Sequence, residues 1–179
     1  MHSPIILALT PVFIMEGSTM QLDSLDVQLL DLLAAEPRVG VLEASRRLRV
    51  ARGTIQARID KLQSRGVIHD LAPTIDPAAL GFPVTAFLSL EIAQHSGRAA
   101  VVDHLISIPE VIEAHTVTGG TDLWVRLVAR DNTDLQRVID QVVENETVTR
   151  TVTVISLTRE IATRTGPLIH AAQERSRLD

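Results

Sequence analysis

VLEASRRLRVARGTIQARIDKLQSRG, residues 41–66, is the stretch on which the reading of this chain turns. Val41, Leu42, Ala44, Ser45 and Leu48 recur at helical spacing and predict a short helix, and Arg49 to Arg52 is a brief break. A further helix is predicted from about Gly53 to Ser64, with Ile55, Ile59 and Leu62 on one face and Gly66 just past its end as a stop. Upstream, Asp23 or Ser24 can cap an earlier helix that carries Leu25, Leu29, Leu32 and Leu33 and that Pro37 ends. Three short helices with a tight break between the last two make the pattern of a helix-turn-helix.

Helical geometry, about 100° per residue, sets Gly53, Ala57, Asp60 and Ser64 opposite the Ile55, Ile59 and Leu62 stripe. Small residues at Gly53 and Ala57 would let the backbone approach a groove floor. Thr54, Gln56 and Lys61 flank that line, and Arg52 and Arg58 sit at its margins. Gln can pair with adenine and Arg with guanine, so the leading end of this helix holds the side chains that direct base readout requires. Arg46, Arg47, Arg58, Lys61 and Arg65 suit phosphates, which position a protein without reading sequence. A basic helical face can be no more than solvated; here it coincides with the three-helix pattern and the short break.

Charge is distributed to match. From Arg38 to Arg65 there are eight basic residues against two acidic, while from Leu71 to Asp179 there are nine basic against fourteen acidic, within a net charge of −5. A basic island followed by an acidic body is expected when one domain faces a polyanion, here double-stranded DNA. With 45% apolar and 22% charged residues the composition is that of a folded chain, and at 2% aromatics its packing must rest on Val, Leu, Ile and Ala. The chain has no cysteine, which removes disulfides, thiolate nucleophiles and Cys-based metal sites and suits a reducing cytoplasm. Residues 1–21 include an apolar run, Ile5 to Ile14, with no Lys or Arg before Met20 and with Pro4 and Pro11 inside it. This fits neither a secretory signal nor a membrane span. It is expected to be a poorly ordered extension, or a start assigned upstream of Met15 or Met20, rather than a membrane tether.

The second half reads as a different domain. Val67 to Ile75 is predicted as an extended connecting strand and Asp76, Pro77, Gly81 and Pro83 as turn residues. Beyond them, strand-like runs at Thr85 to Ala93, Val111 to Thr118, Leu123 to Ala129 and Val148 to Leu157 alternate with helical periods at Arg98 to Ile108 and Thr133 to Val143. The order is βαββαβ. A shift of 37 positions pairs Val101 with Val138, Asp103 with Asp140, Val111 with Val148, Thr116 with Thr153 and Val117 with Val154, as in a duplicated ferredoxin-like unit. Such a domain has helices on one face of its sheet. The other, expected to be rich in Val, Ile and Leu, calls for a second copy to cover it.

These segments resemble the Lrp/AsnC family of feast/famine transcriptional regulators from about Leu22 to Ile161. LDSLDVQLLDLLAAEPR is similar to that family's first helix, VARGTIQARIDKLQSRGVI to its recognition helix and exit, TIDPAALG to its interdomain hinge, and HTVTGGTDLWVRL to the β-hairpin of its regulatory domain. The resemblance implies a homodimer formed through the ferredoxin-like sheets, further assembly into octamers, and an amino acid as effector. It places the effector loop at Thr118, Gly119, Gly120, Thr121 and Asp122, with Thr151 and Thr153 as neighbours. Glycines can offer backbone N–H groups to a carboxylate and Asp122 can take an ammonium; equally, Gly119 and Gly120 can simply build a tight hairpin with Asp122 as a turn residue. The chain departs from the family pattern in having Arg49 where the break usually has Gly, Ala51 where the recognition helix usually has a Ser or Thr cap, and Thr121 and Leu123 where aromatics are common near the loop.

The expected fold is thus α+β: an extension (1–21), a winged-type helix-turn-helix domain of three helices (22–70), a hinge strand and linker (71–83), a ferredoxin-like βαββαβ regulatory domain (84–161) and a partly helical tail (162–179). The expected function is that of a sequence-specific transcriptional regulator in the cytoplasm, with an architectural DNA-compacting protein as the alternative. His2, His69, His95, His104, His115 and His170 show no metal-ligand spacing, and no Ser/His/Asp set or phosphate-binding glycine loop occurs, so neither an enzyme, a metal nor a cofactor is expected.

Overall fold

The computed structural model describes residues 21–70, 72–93 and 98–176, so the expected extension lies outside the described residues save for Gln21. The chain divides into two compact units: one runs to Ala72 and resumes at Thr163, and the other spans Pro73–Ala162.

The first unit is helical. Its opening helix α1 (Ser24–Ala35) starts from a capping box. Asp23 Oδ1 accepts from the N–H groups of Leu25 and Asp26 at 2.9 Å each, and Asp23 N–H donates to Asp26 Oδ2 at 3.3 Å. α2 (Val41–Leu48) ends on Arg49, which adopts the left-handed conformation at φ 55°, and the Val50 N–H turns back to the Ser45 carbonyl at 3.1 Å. α3 (Arg52–Ser64) follows from Ala51, whose side chain cannot cap it. Leu29, Ile55 and Leu62 are fully buried in the core these helices share, as the apolar stripe of the third helix predicts. On α1 the buried set is Val27, Leu29 and Leu30 rather than Leu25, Leu32 and Leu33, which are half-buried. That helix has neighbours on two sides, α2 and a C-terminal helix α6 (Gly166–Ser176), so it buries a wider arc than a single stripe.

α6 packs Ile169 and Ala172 against this core, and His170 Nε2 lies 3.2 Å from Asp31 Oδ1 on α1. Among the described residues the unit holds no strand, and 67–70 and 72–75, expected as parts of an extended connecting strand, are irregular backbone. A lone extended segment has no neighbour within one chain to complete a ladder of hydrogen bonds.

The second unit is a two-layer sandwich. Its strands β1 (Val84–Ile92), β2 (Val111–Thr116), β3 (Leu123–Ala129) and β4 (Val148–Ser156) alternate with α4 (Arg98–Ile106) and α5 (Asn132–Val143) in the expected βαββαβ order. The sheet runs β2-β3-β1-β4 with every neighbouring pair antiparallel, the ferredoxin-like arrangement. Ala86, Leu88 and Leu90 of β1 and Val125 and Leu127 of β3 point to the helices and meet Val101 of α4 and Val138 of α5. The opposite face carries Phe87, Trp124, Arg126, Val152 and Val154, with Val154 60% and Trp124 47% exposed. This face is more aromatic than expected: Phe87 stacks on Trp124 with ring centroids 5.3 Å apart.

One buried carboxylate secures the turn into α5. Asp134 accepts from Arg130 Nη2 at 2.8 Å, the Arg130 backbone N–H at 3.0 Å and Arg137 Nε at 2.9 Å. The Arg130 guanidinium, followed by that backbone N–H and by Arg137, holds the Asp134 carboxyl far below the usual carboxylate range.

Candidate nucleic-acid interface and effector loop

Because Ile55, Ile59 and Leu62 are buried, α3 turns Arg52, Gly53, Thr54, Gln56, Ala57, Asp60 and Lys61 outward. A Cβ built on Gly53 would meet nothing within 4 Å, so no neighbour among the described residues requires glycine there. Gly53 costs helix stability without an internal return, whereas close approach by a nucleic-acid backbone would explain it. Gln56 Nε2 donates to Asp60 Oδ1 at 2.8 Å, which orients its amide along the exposed face.

The basic residues fall into two groups. Among the described residues Arg49, Arg52, Lys61 and Arg65 make no ion pair, and Arg46 is exposed with Glu43 3.8 Å away. Arg47 and Arg58 are engaged. Arg47 pairs with Glu36 through Nη1 and with Glu43 Oε1 through Nε at 3.0 Å, and these bonds, Glu36's first, raise its pKa. Arg58 Nη1 stands 2.6 Å from Asp23 Oδ2 and 2.6 Å from Asp26 Oδ1. Burial works against the charge on Asp23, but the Asp26 N–H and the Arg58 guanidinium outweigh it and lower the Asp23 pKa. Asp23 is a cap candidate by sequence; that it and Asp26 hold Arg58 is visible only in the fold.

In the second unit the loop from Thr118 to Asp122 joins β2 to β3. Gly119 sits at φ 117°, a conformation that favours glycine; Gly120 does not, and nothing lies near its Cβ position. Thr118, Gly119 and Gly120 are exposed, and Thr121 and Asp122 half-buried. Asp122 is a structural tie first: its N–H donates to the Leu90 carbonyl at 2.9 Å and its Oδ2 accepts from the Ile92 N–H at 2.7 Å. The remaining oxygen, Oδ1, has no partner among the described residues. Leu90 is the register partner of Thr151, and Leu88 of Thr153, so the fold brings the loop and Thr151 to the same end of the sheet, with Thr153 one step inward. Thr151 Oγ1 is buried and has no hydrogen-bond partner among the described residues.

A family model of the AsnC-type helix-turn-helix domain matches residues 22–63, and one of the Lrp/AsnC ligand binding domain matches residues 85–166. The chain belongs to the Lrp/AsnC family. It is a transcriptional regulator of that type, with a helix-turn-helix and a ligand-binding domain. Among Lrp/AsnC relatives it is 35% identical to an uncharacterized HTH-type transcriptional regulator of Pyrococcus abyssi over 119 residues, 66% of this chain and 75% of that one. The structure of E. coli AsnC superimposes with a TM-score of 0.75 at 26% identity, covering 83% of this chain and 100% of AsnC. A feast or famine regulatory protein from M. tuberculosis, solved in complex with L-methionine, matches with a TM-score of 0.71 at 25% identity over 80% of this chain and 97% of its own. Among the described residues of this Lrp/AsnC chain, no helix is long and apolar enough to cross a membrane.

Proposed function

We propose that this regulator binds double-stranded DNA sequence-specifically through the exposed line of α3, and that an amino acid bound at the Thr118 to Asp122 loop modulates that binding. The observation that carries the first half is the division of α3 into a buried Ile55, Ile59 and Leu62 stripe and an outward face with Gly53 and Ala57 at its centre. Arg52, Thr54 and Gln56 are the base-reading candidates on this face. Arg46, Lys61 and Arg65, with Arg49 beside them, are the phosphate contacts. Selection from a random duplex library tests it: enrichment of one motif, bound hundreds-fold better than scrambled DNA at fixed salt, is expected, whereas equal binding to all sequences favours an architectural role.

Three observations support an effector at the loop: a free Asp122 oxygen, a buried unpartnered Thr151 hydroxyl, and a glycine at Gly120 with no internal reason to be one. A zwitterionic ligand offers an ammonium to the first and a carboxylate to the backbone N–H groups of the loop. The M. tuberculosis neighbour's complex with L-methionine fits this class of ligand. The exposed valines and Trp124 on the open sheet face support a homodimer closed through that face, from which octamers are built. The effector can shift DNA affinity only by its difference in affinity between two states, typically about 1–3 kcal/mol.

A thermal-shift screen of the protein amino acids identifies the responder, which raises stability by binding the native state. Asp122→Asn then separates the two roles of this residue, because the amide oxygen still accepts from Ile92 while the charge is gone. Titration calorimetry should show loss of amino-acid binding with the fold intact; unaltered affinity would move the site elsewhere.

A further inference from the structure

We infer that Arg58 is a positioning residue for DNA recognition: it fixes the rotation of α3 by tying it to two carboxylates at the start of α1, and it does not contact phosphate. The inference rests on α3 being the reading helix, as proposed above. By sequence Arg58 belongs with the phosphate-binding cations, since it lies at the margin of the exposed line. In the structure its side chain is only 25% exposed, and a single guanidinium nitrogen stands 2.6 Å from both Asp23 Oδ2 and Asp26 Oδ1. The anchor itself is rigid. Asp26 is 1% exposed in its side chain and its second oxygen accepts from the Asp23 N–H, while Asp23 Oδ1 holds two N–H groups of the first turn of α1. To reach a phosphate, Arg58 would have to leave a buried carboxylate without its cation, the costly half of a broken ion pair.

The remaining contacts of α3 with its core are apolar. Ile55, Ile59 and Leu62 hold the helix down, but burial of apolar surface is non-directional and tolerates axial rotation. A charge-assisted hydrogen bond shared between two fixed oxygens does not. For a side-chain tip roughly 6 Å from the helix axis, a rotation of about 20° is a displacement of about 2 Å. That exceeds what a paired hydrogen bond from Gln56 or Arg52 to a base edge tolerates, whereas a phosphate contact by a long, mobile Lys61 would survive it. The clamp therefore bears on discrimination between sequences more than on attraction to DNA.

The test uses the full chain with Arg58→Gln, measured against the duplex that wild type enriches most from a random library and against a scrambled duplex of equal length, each over a salt series. The expected result is a loss of discrimination of roughly tenfold or more, with scrambled-DNA affinity and both salt slopes unchanged. A salt slope smaller by about one counterion, with discrimination kept, would make Arg58 a phosphate contact and overturn the inference. An equal loss on both duplexes accompanied by early melting would make it merely structural and also overturn it. Asp26→Asn provides the second reading, since it removes the buried charge of the clamp, leaves only the Asp23 carboxylate on Arg58 and keeps the charge of Arg58 intact. The clamp requires discrimination to fall here too, and unchanged or stronger binding with discrimination kept overturns it. If wild type itself enriches no sequence, the failure lies with the DNA-reading proposal and is seen before any variant is compared.

Discussion

Gly53→Ala is expected to stabilise the protein and to weaken DNA binding at the same time. The added Cβ meets nothing within 4 Å, so no internal clash offsets the gain in helix propensity. That gain is roughly 0.5–1 kcal/mol, with the lower figure more apt because Gly53 lies in the first turn of α3. In a domain this small it corresponds to a rise in Tm of about 2–6 °C. On the outward face the same methyl group stands between the helix backbone and the groove. If close approach is what the glycine provides, an intruding methyl group costs about 1–3 kcal/mol by analogy with overpacking, or roughly 5- to 150-fold in Kd. Thermal melts give the first quantity, and fluorescence anisotropy on the selected duplex at fixed salt gives the second. A variant that is more stable and binds as well as wild type would refute the assignment of this face to DNA.

Other consequences follow from single residues. Arg49→Gly should raise stability by about 1 kcal/mol in denaturant melts, because Arg49 holds φ 55° where a Cβ is unfavourable and glycine is not; a loss of stability would show that its side chain is needed. Asp134 has its folded pKa lowered, so the stability it confers is present above the ordinary aspartate value of about 4 and is lost as pH falls through the folded value. Asp134→Asn should accordingly be less stable at pH 7 but show a flatter decline between about pH 4 and 2 by circular dichroism; an unchanged acid profile would contradict the pairing. Val154→Glu puts a carboxylate in the middle of the open sheet face and should give a folded monomer by light scattering, whereas a persistent dimer would place the interface elsewhere.

What could be read in the sequence was what depends on periodicity. The Ile55, Ile59 and Leu62 stripe, the short break and the strand order all follow from spacing that one core face imposes. The 37-residue shift reflects real equivalence: Val101 and Val138 are both fully buried under the sheet, and Val111 and Val148 each open a strand. Hidden from the sequence were contacts that join distant segments. Arg58 meets its acids across 35 and 32 residues, and nothing local distinguishes it from Lys61 three positions on. Phe87 and Trp124 are neighbours only because β3 lies beside β1, which alternation alone does not reveal. By sequence Asp122 is either a turn residue or a ligand contact; in the structure one oxygen is tied to Ile92 and the other has no partner among the described residues. The sequence predicts a partly helical tail, but its packing on the first unit, through Ile169, Ala172 and the His170–Asp31 pair, carries no periodic signature of its own.

The electrostatics of the interface illustrate the same point. Along the chain, Arg38 to Arg65 carries eight basic and two acidic residues, which suggests a strongly attractive surface. In space, Asp23, Asp26 and Glu36 come from outside that interval to engage Arg58 and Arg47, so the attraction is weaker than the count implies. Among the described residues Arg49, Lys61 and Arg65 make no ion pair and Arg46 stands 3.8 Å from Glu43, which gives four cations for phosphate, with Arg52 a base-reading candidate. Each phosphate neutralised contributes about 0.9 to the fall of log K with log salt, so a dimer using four per protomer should show a slope of roughly −7, not the roughly −14 that all eight basic residues would give. A slope near the larger figure would mean that Arg47 and Arg58 exchange their carboxylates for phosphates on binding, and that the paired geometry belongs to the free protein alone.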